Sequence, residues 1–209
     1  MIIRFDENAT ENEELFKVIE DFFAGTPTLE SKGDIPIIIF QDGVKGSYYT
    51  KCSIRAQDAS PLFDFDARLE SSDIFRANRE LMLQHKTYQK MLSDAGNGRE
   101  FNDIIVEFNK SYNTDKPLKI WGGQHRSKAL TEARRYPERY HGFKIFFGLS
   151  TDQRTELALI SNTNISVSND TFDRMRQKQD FLSTELHLTP GRFAHTLLYF
   201  HIEIESYGR

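Results

Sequence analysis

The spacing of apolar residues changes several times along this 209-residue chain, and each change predicts an element. In "NEELFKVIEDFFAG", Leu15, Phe16, Ile19, Phe22 and Phe23 recur at the three-to-four spacing of one helical face, and Gly25 ends the run. A β-branched stretch, "DIPIIIF", comes next. "QDGVKGSYYTKCSI" then reads as a hairpin turning on Gly43 and Gly46. Beyond a loop at Pro61, the spacing predicts a helix from about Asp73 to Ala95, closed by Gly96 and Gly98. "DIIVEFN" (103–109) and "KPLKIW" (116–121) read as strands, and a helical period from about Gly123 to Tyr136 stops at Pro137. "GFKIFFGL" (142–149) is apolar on both faces, as a strand covered on both sides must be. One helix opens at Ser150 or Thr151, a second at Ser168 or Asn169, and "LTPGRFAHTLLYFHIEI" supplies a third. Strands alternating with helices predict an α/β (α+β) mixed-sheet domain over residues 1–166. A helical segment, 167–209, follows and reads as cut from a longer polypeptide.

Composition narrows the class. With 38% hydrophobic residues and 17 Phe the chain can bury a real core. A lone cysteine, Cys52, allows neither an internal disulfide nor a cysteine metal cluster. No apolar run approaches the ~18 residues of a membrane span, and the N-terminus lacks the layout of a signal peptide. The expectation is a cytoplasmic protein without a membrane partner.

The net charge of −4 argues against a basic nucleic-acid coat, but the charge is unevenly spread. Residues 1–30 hold two basic against eight acidic side chains, a net −6. Residues 126–140 hold five basic (Arg126, Lys128, Arg134, Arg135, Arg139) against two acidic, a net +3. A basic patch on an acidic protein suits one anionic ligand better than general DNA coating.

The stretch "KIWGGQHRSKALTEA" (119–133) sits where strand becomes helix. Glycines there let a ligand approach the backbone, and the unpaired N–H groups of a helix start favour an anion. Arg126 adds a forked charged donor, and His125 is either a phosphate donor or an acid/base near neutral pH. Gln124 is placed to orient water or touch a base or ribose. Ala129, Leu130 and Ala133 are expected to face the sheet, with Lys128 and Arg135 outside. A plain glycine turn whose polar residues only cap the helix fits the same spacing, because short glycine motifs are weakly specific.

"GGQHRSKA" resembles the signature turn of the ParB/sulfiredoxin superfamily, where Gly-x-x-Arg-x-x-Ala opens a helix beneath nucleotide phosphates. Sulfiredoxins read Gly-Gly-Cys-His-Arg at this place, and a bacterial DNA-modification and defence branch reads Asp-Gly-Gln-His-Arg. The flanking order is similar too: a helix ("RELMLQHKTYQKMLSDA") and strand before, a strand ("KIFFGL") and a helix ending "ALISNTNISVSN" after. The likeness spans roughly residues 73–185. It implies a ParB/sulfiredoxin-like fold, with phosphate bound by Gly122, Gly123, Gln124, His125, Arg126 and Ser127. It further implies help from Asn162 and Asn164, and from a basic segment holding Arg76 and Arg79. His125 and Gln124 are the implied catalytic pair, His125 as acid/base and Gln124 holding the attacking water.

Two departures shape the expectation. Gln124 replaces the sulfiredoxin cysteine, which argues against sulfinic-acid reduction. Ser161 and Ile165 replace the ParB glutamate and arginine, removing an expected Mg²⁺ ligand and weakening the case for CTP hydrolysis by a ParB clamp. The implied function is therefore binding, with hydrolysis, of a nucleoside triphosphate (ATP, CTP or GTP, with Mg²⁺) in bacterial DNA transactions or antiviral defence. Its metal ligands are not identified. The alternatives are a non-catalytic DNA-binding regulator, or a ParB-like DNA nuclease. The apolar C-terminal helices are expected to join a second copy or a partner protein. Glu107 is either a substitute metal carboxylate or a solvent-facing strand residue. Arg99 lies in a helix-ending turn from which it could reach a ligand. The remaining histidines lack ligand spacing and are expected to be structural or on the surface.

Overall fold

The computed structural model describes residues 1–43, 45–73, 77 and 81–162, all within the unit Met1–Thr163. Arg76, Arg79, Asn164 and the helices expected beyond residue 166 lie outside the described residues, as does the side chain of Asn162.

Seven strands form one mixed sheet in the order β1-β2-β3-β7-β5-β6-β4. They are β1 (Ile3–Phe5), β2 (Ile37–Gln41), β3 (Tyr48–Arg55), β4 (Phe63–Asp64), β5 (Ile104–Phe108), β6 (Leu118–Gly122) and β7 (Tyr140–Phe147). The described helices are α1 (Glu13–Gly25), α2 (Ala56–Ala59), α3 (Lys86–Gly96), α4 (Gln124–Ala133) and α5 (Thr151–Asn162). The strand that is apolar on both faces, β7, lies mid-sheet, antiparallel to β3 and parallel to β5. Antiparallel pairing of β5 with β6 carries the sheet outward to the glycine turn.

One face of the sheet holds the main core. Asn12 caps α1 by accepting the Leu15 N–H at 3.0 Å, and Leu15, Ile19, Phe22 and Phe23 turn inward. Phe22 packs edge-on against Phe108 and Phe147, with ring centres 5.3 and 5.6 Å away. Tyr88 and Ala95 of α3, with Ala129 and Leu130 of α4, join the same cluster. On the opposite face Trp121 packs with Ala67 and with Ala158 of α5. All five β6 residues are thereby buried, including Lys119.

Several sequence expectations change. Of the helix expected over residues 73–95, residues 74–76 and 78–80 lie outside the described residues and residues 81–85 are not helical, while Lys86–Gly96 forms α3. His85 is its cap, its Nδ1 accepting from the Thr87 N–H, and the Met82 N–H is used by a side chain of α4 rather than by a helix. Tertiary partners thus outcompete a favourable helical period. Strands β1 and β4 and the single turn α2 carry too few residues to show a period. Glu107 is neither a metal carboxylate nor solvent-facing. It is 1% exposed and forked to Arg154, because α5 covers that face of the sheet.

Candidate functional site

Where β6 meets α4 the backbone turns through Gly123, at φ +86° in the left-handed region. Glycine is needed here twice over. An L side chain would be strained at that φ, and a Cβ would lie 2.9 Å from Arg126 Nη2 and 3.0 Å from Nε. The Arg126 side chain has folded back across the turn that launches its own helix. At Gly122 a Cβ would come within 3.1 Å of Ile105 on β5, so that glycine serves close strand packing.

The Arg126 guanidinium is held from one edge. Its Nη1 donates to the carbonyls of Asn102 at 2.6 Å and Asp103 at 3.1 Å, in the segment entering β5. Nε and Nη2 make no hydrogen bond among the described residues, so a fork of donors stays available. Burial pulls the pKa of this guanidinium down and nearby Asp103 opposes that, but an arginine stays charged in either case. Gly142 of β7 makes room for the Asp103 side chain, whose Oδ1 would sit 2.2 Å from any Cβ there.

The first committed N–H of α4 is that of Ser127, bonded to the Gly123 carbonyl at 2.9 Å. Those of Gln124, His125 and Arg126 have no acceptor among the described residues, as at any uncapped helix start. Gln124 is half-buried and makes no side-chain hydrogen bond among the described residues. Ser127 turns the other way. It is fully buried, and its hydroxyl donates to the Gly123 carbonyl at 3.1 Å, so it braces the turn from inside rather than completing an anion cradle.

His125 carries an assignment that sequence did not predict. Its Nε2 accepts the Met82 N–H at 3.2 Å, and its ring tilts against Tyr88 at 6.0 Å. An Nε2 that accepts a hydrogen bond in the neutral ring puts the proton on Nδ1, leaving that nitrogen as a donor. Tyr88 in turn donates to Glu132 at 2.5 Å, and Glu132 pairs with Lys128 at 3.2 Å on the outer face of α4. Burial chiefly, and the neighbouring His85 second, lower the His125 pKa below the ordinary histidine value.

That direction sets a pH prediction. A histidine with a depressed folded pKa binds fewer protons in the native state than in the unfolded chain just below about pH 6.5. Its contribution is complete above that pH and is lost as pH falls through the folded pKa. His141 shifts the same way through burial, then Arg139, against a smaller opposing effect of Glu100. Melting temperature is expected to decline on acidification from about pH 7.5 to about pH 5. His125→Gln, whose amide oxygen accepts the Met82 N–H at any pH, should flatten the decline. An unchanged slope in that variant would count against the His125–Met82 contact.

Geometry brings together Gly122, Gly123, Gln124, His125 and Arg126. The carbonyls of Asn102 and Asp103 and the Met82 N–H are partners that sequence reading missed, since backbone groups leave no mark on residue type. Comparison with protein-family models, curated proteins and solved structures finds no match to the chain in any of the three.

Proposed function

We propose that the turn at residues 122–126 binds the phosphate of a nucleotide or a nucleic acid, in the manner of the ParB/sulfiredoxin-like domains that "GGQHRSKA" resembles. One observation carries the reading. Arg126 is immobilised through Nη1 while Nε and Nη2 have no hydrogen-bond partner among the described residues, beside the open start of α4. A pre-positioned guanidinium edge next to free helix N–H groups is a ready acceptor of an oxyanion. His125 adds a donor at Nδ1. Because its Nε2 already accepts from Met82, the ring is better suited to holding phosphate than to serving as a hydrolytic base. Binding is thus the primary function, in bacterial DNA transactions or defence. Hydrolysis of a nucleoside triphosphate with Mg²⁺ is the further activity that the same turn would support, with Gln124 beside the attacking water.

Thermal shift with ATP, CTP, GTP, ADP and a short DNA duplex, each with Mg²⁺, tests this. A ligand present at about 100 times its Kd stabilises the native state by about 2.7 kcal/mol, on the order of 5–10 °C for a chain of this size. At least one probe is expected to give such a shift in the wild type. Arg126→Ala should abolish it, and Arg126→Lys, which keeps charge without the fork, should retain only part. Gly123→Ala should weaken binding as well, since strain on the order of 1–2 kcal/mol and the clash with the guanidinium both move Arg126. DNA binding alone, steeply reduced by salt, would favour the regulator reading. No shift with any probe, or an undiminished shift in Arg126→Ala, would overturn the assignment.

A further inference from the structure

A cavity of about 380 Å³ lies at the C-terminal end of α4, away from the glycine turn. Ten residues at 1.5 Å each put the two ends of that helix about 15 Å apart. The cavity takes up Arg134, Arg135 and Arg139 of the basic run in residues 126–140, none of which the glycine turn uses. Arg99, Arg134, Arg135, Arg139 and His141 line it, and none of its lining residues is acidic. Arg99 is paired with Asp94 at 2.7 Å, whereas Arg134, Arg135 and Arg139 have no salt bridge among the described residues. Basic side chains near a helix C-terminus are favoured by its dipole, and that alone could account for the arginines.

It does not account for His141. This histidine is 5% exposed, lines the same cavity, and has an Nδ1 with no hydrogen-bond partner among the described residues. Buried polar atoms are nearly always satisfied, so an orphan beside a cluster of unpaired guanidiniums indicates a missing partner. With the ring proton on Nδ1, a partner that accepts from imidazole and guanidinium together is an oxyanion.

The remaining walls indicate what else that partner carries. Arg135 and Arg139 flank the Tyr136 ring, with guanidinium carbons 5.8 and 5.4 Å from its centre. Leu130 and Pro61 add apolar surface. Gly98, at φ +79°, lets the Tyr136 ring and the Arg139 guanidinium close over it, where a Cβ would lie 3.1 and 3.2 Å from them. The volume falls in the range of roughly 300–1,000 Å³ usual for small-molecule pockets.

We propose that this cavity is a second anion site, which takes a small organic phosphate: the phosphate meets Arg134, Arg139 and His141 Nδ1, and a flat or apolar body rests between Tyr136 and Leu130. Several cationic donors fit a phosphate dianion better than a single carboxylate, and the ring-lined wall fits an aryl or nucleobase-like body. The proposal does not depend on the reading of the glycine turn.

Calorimetric titration of the full chain with phenyl phosphate, inorganic phosphate and benzoate tests it. In Arg126→Ala, which removes the phosphate contact proposed for the turn, phenyl phosphate is expected to saturate one site and to bind more tightly than either of the others. Arg139→Ala and His141→Phe should each weaken it by about ten-fold or more, as loss of a charge-assisted or buried hydrogen bond does. Arg139 is exposed, so its truncation leaves the core intact. Binding of phenyl phosphate at this cavity should persist in Arg126→Ala and be lost in Arg126→Ala combined with Arg139→Ala, which separates the site from the turn. Three results would each overturn the proposal: no saturable phenyl phosphate binding, binding lost in Arg126→Ala but kept in Arg139→Ala, or equal affinity for inorganic phosphate or benzoate.

Discussion

Replacing Lys119 by methionine is expected to lower the unfolding free energy by about 3–5 kcal/mol, the usual effect of removing one partner from a buried ion pair. Lys119 has no exposed surface, and its Nζ donates to Asp64 Oδ2 at 2.9 Å. The same ammonium donates to the carbonyls of Tyr112 at 2.5 Å and Lys116 at 2.9 Å, and sits 4.0 Å from the centre of the Tyr112 ring. Methionine keeps the unbranched stem but leaves the 3%-exposed Asp64 carboxylate and several carbonyls without their donor. Asp64 and Lys119 are register partners between β4 and β6, so this pair holds a two-residue strand onto the sheet edge.

Burial opposes ionisation of Asp64, but donors from Lys119, Asn113 and the Asp66 N–H together outweigh it and hold its pKa below the usual value. Its contribution is therefore complete above about pH 3.9 and lost as pH falls further. Urea unfolding near neutral pH should show the midpoint drop in Lys119→Met, with a melting point lower by on the order of 10 °C. Adding Asp64→Asn should recover part of the loss, since the uncompensated charge is gone. A single-variant loss under about 1 kcal/mol would show that the pair is not buried as described.

Arg154→Met should have the second-largest effect, about 3 kcal/mol, on the same face of the sheet, where Glu107 is the register partner of Lys119. Arg154 grips Glu107 through Nε at 3.0 Å and Nη2 at 2.8 Å, and its Nη1 donates to the Leu69 carbonyl at 3.0 Å. Glu107 also accepts from Trp121 Nε1 at 3.3 Å and from Asn109 at 3.2 Å. Helix α5, strands β5 and β6 and the loop near Leu69 thus meet at one carboxylate. Trp121 is the sole tryptophan, which makes its emission a direct reporter. Arg154→Met should shift that emission as well as lower the urea midpoint, whereas stability loss with unchanged emission would argue that Trp121 is not coupled to the pair. The phosphate binding proposed for the turn should weaken less than in Arg126→Ala. The disturbance reaches the turn indirectly, through Trp121 beside Gly122 on β6 and through β5, whose Ile105 packs under Gly122 and whose entry segment supplies the carbonyls that hold Arg126.

Sequence pattern identified α1, β2, β3, β5, β6, α4, β7 and α5 because each carries a run long enough for its period to show. Strand β1, of three residues, and β4, of two, are joined to the sheet only by pairing and left no local signal. The glycine turn was visible because a left-handed residue at a strand-to-helix junction demands glycine, and a basic residue three positions on shares its face of the helix.

Residue order by itself therefore determined the mixed α/β character, the position of the turn and the residues 122–127 that compose it. Only the tertiary structure decided how those residues are used. It turned Ser127 inward, tied Arg126 to the carbonyls of Asn102 and Asp103, occupied His125 Nε2 with Met82, buried Glu107 against Arg154, and gathered the arginines of residues 134–139 around His141. The physical reason lies in the range of the forces. Backbone propensity and apolar period act over a few neighbouring residues and are written into them, whereas a hydrogen-bond partner tens of residues away exists only once the sheet has brought it near.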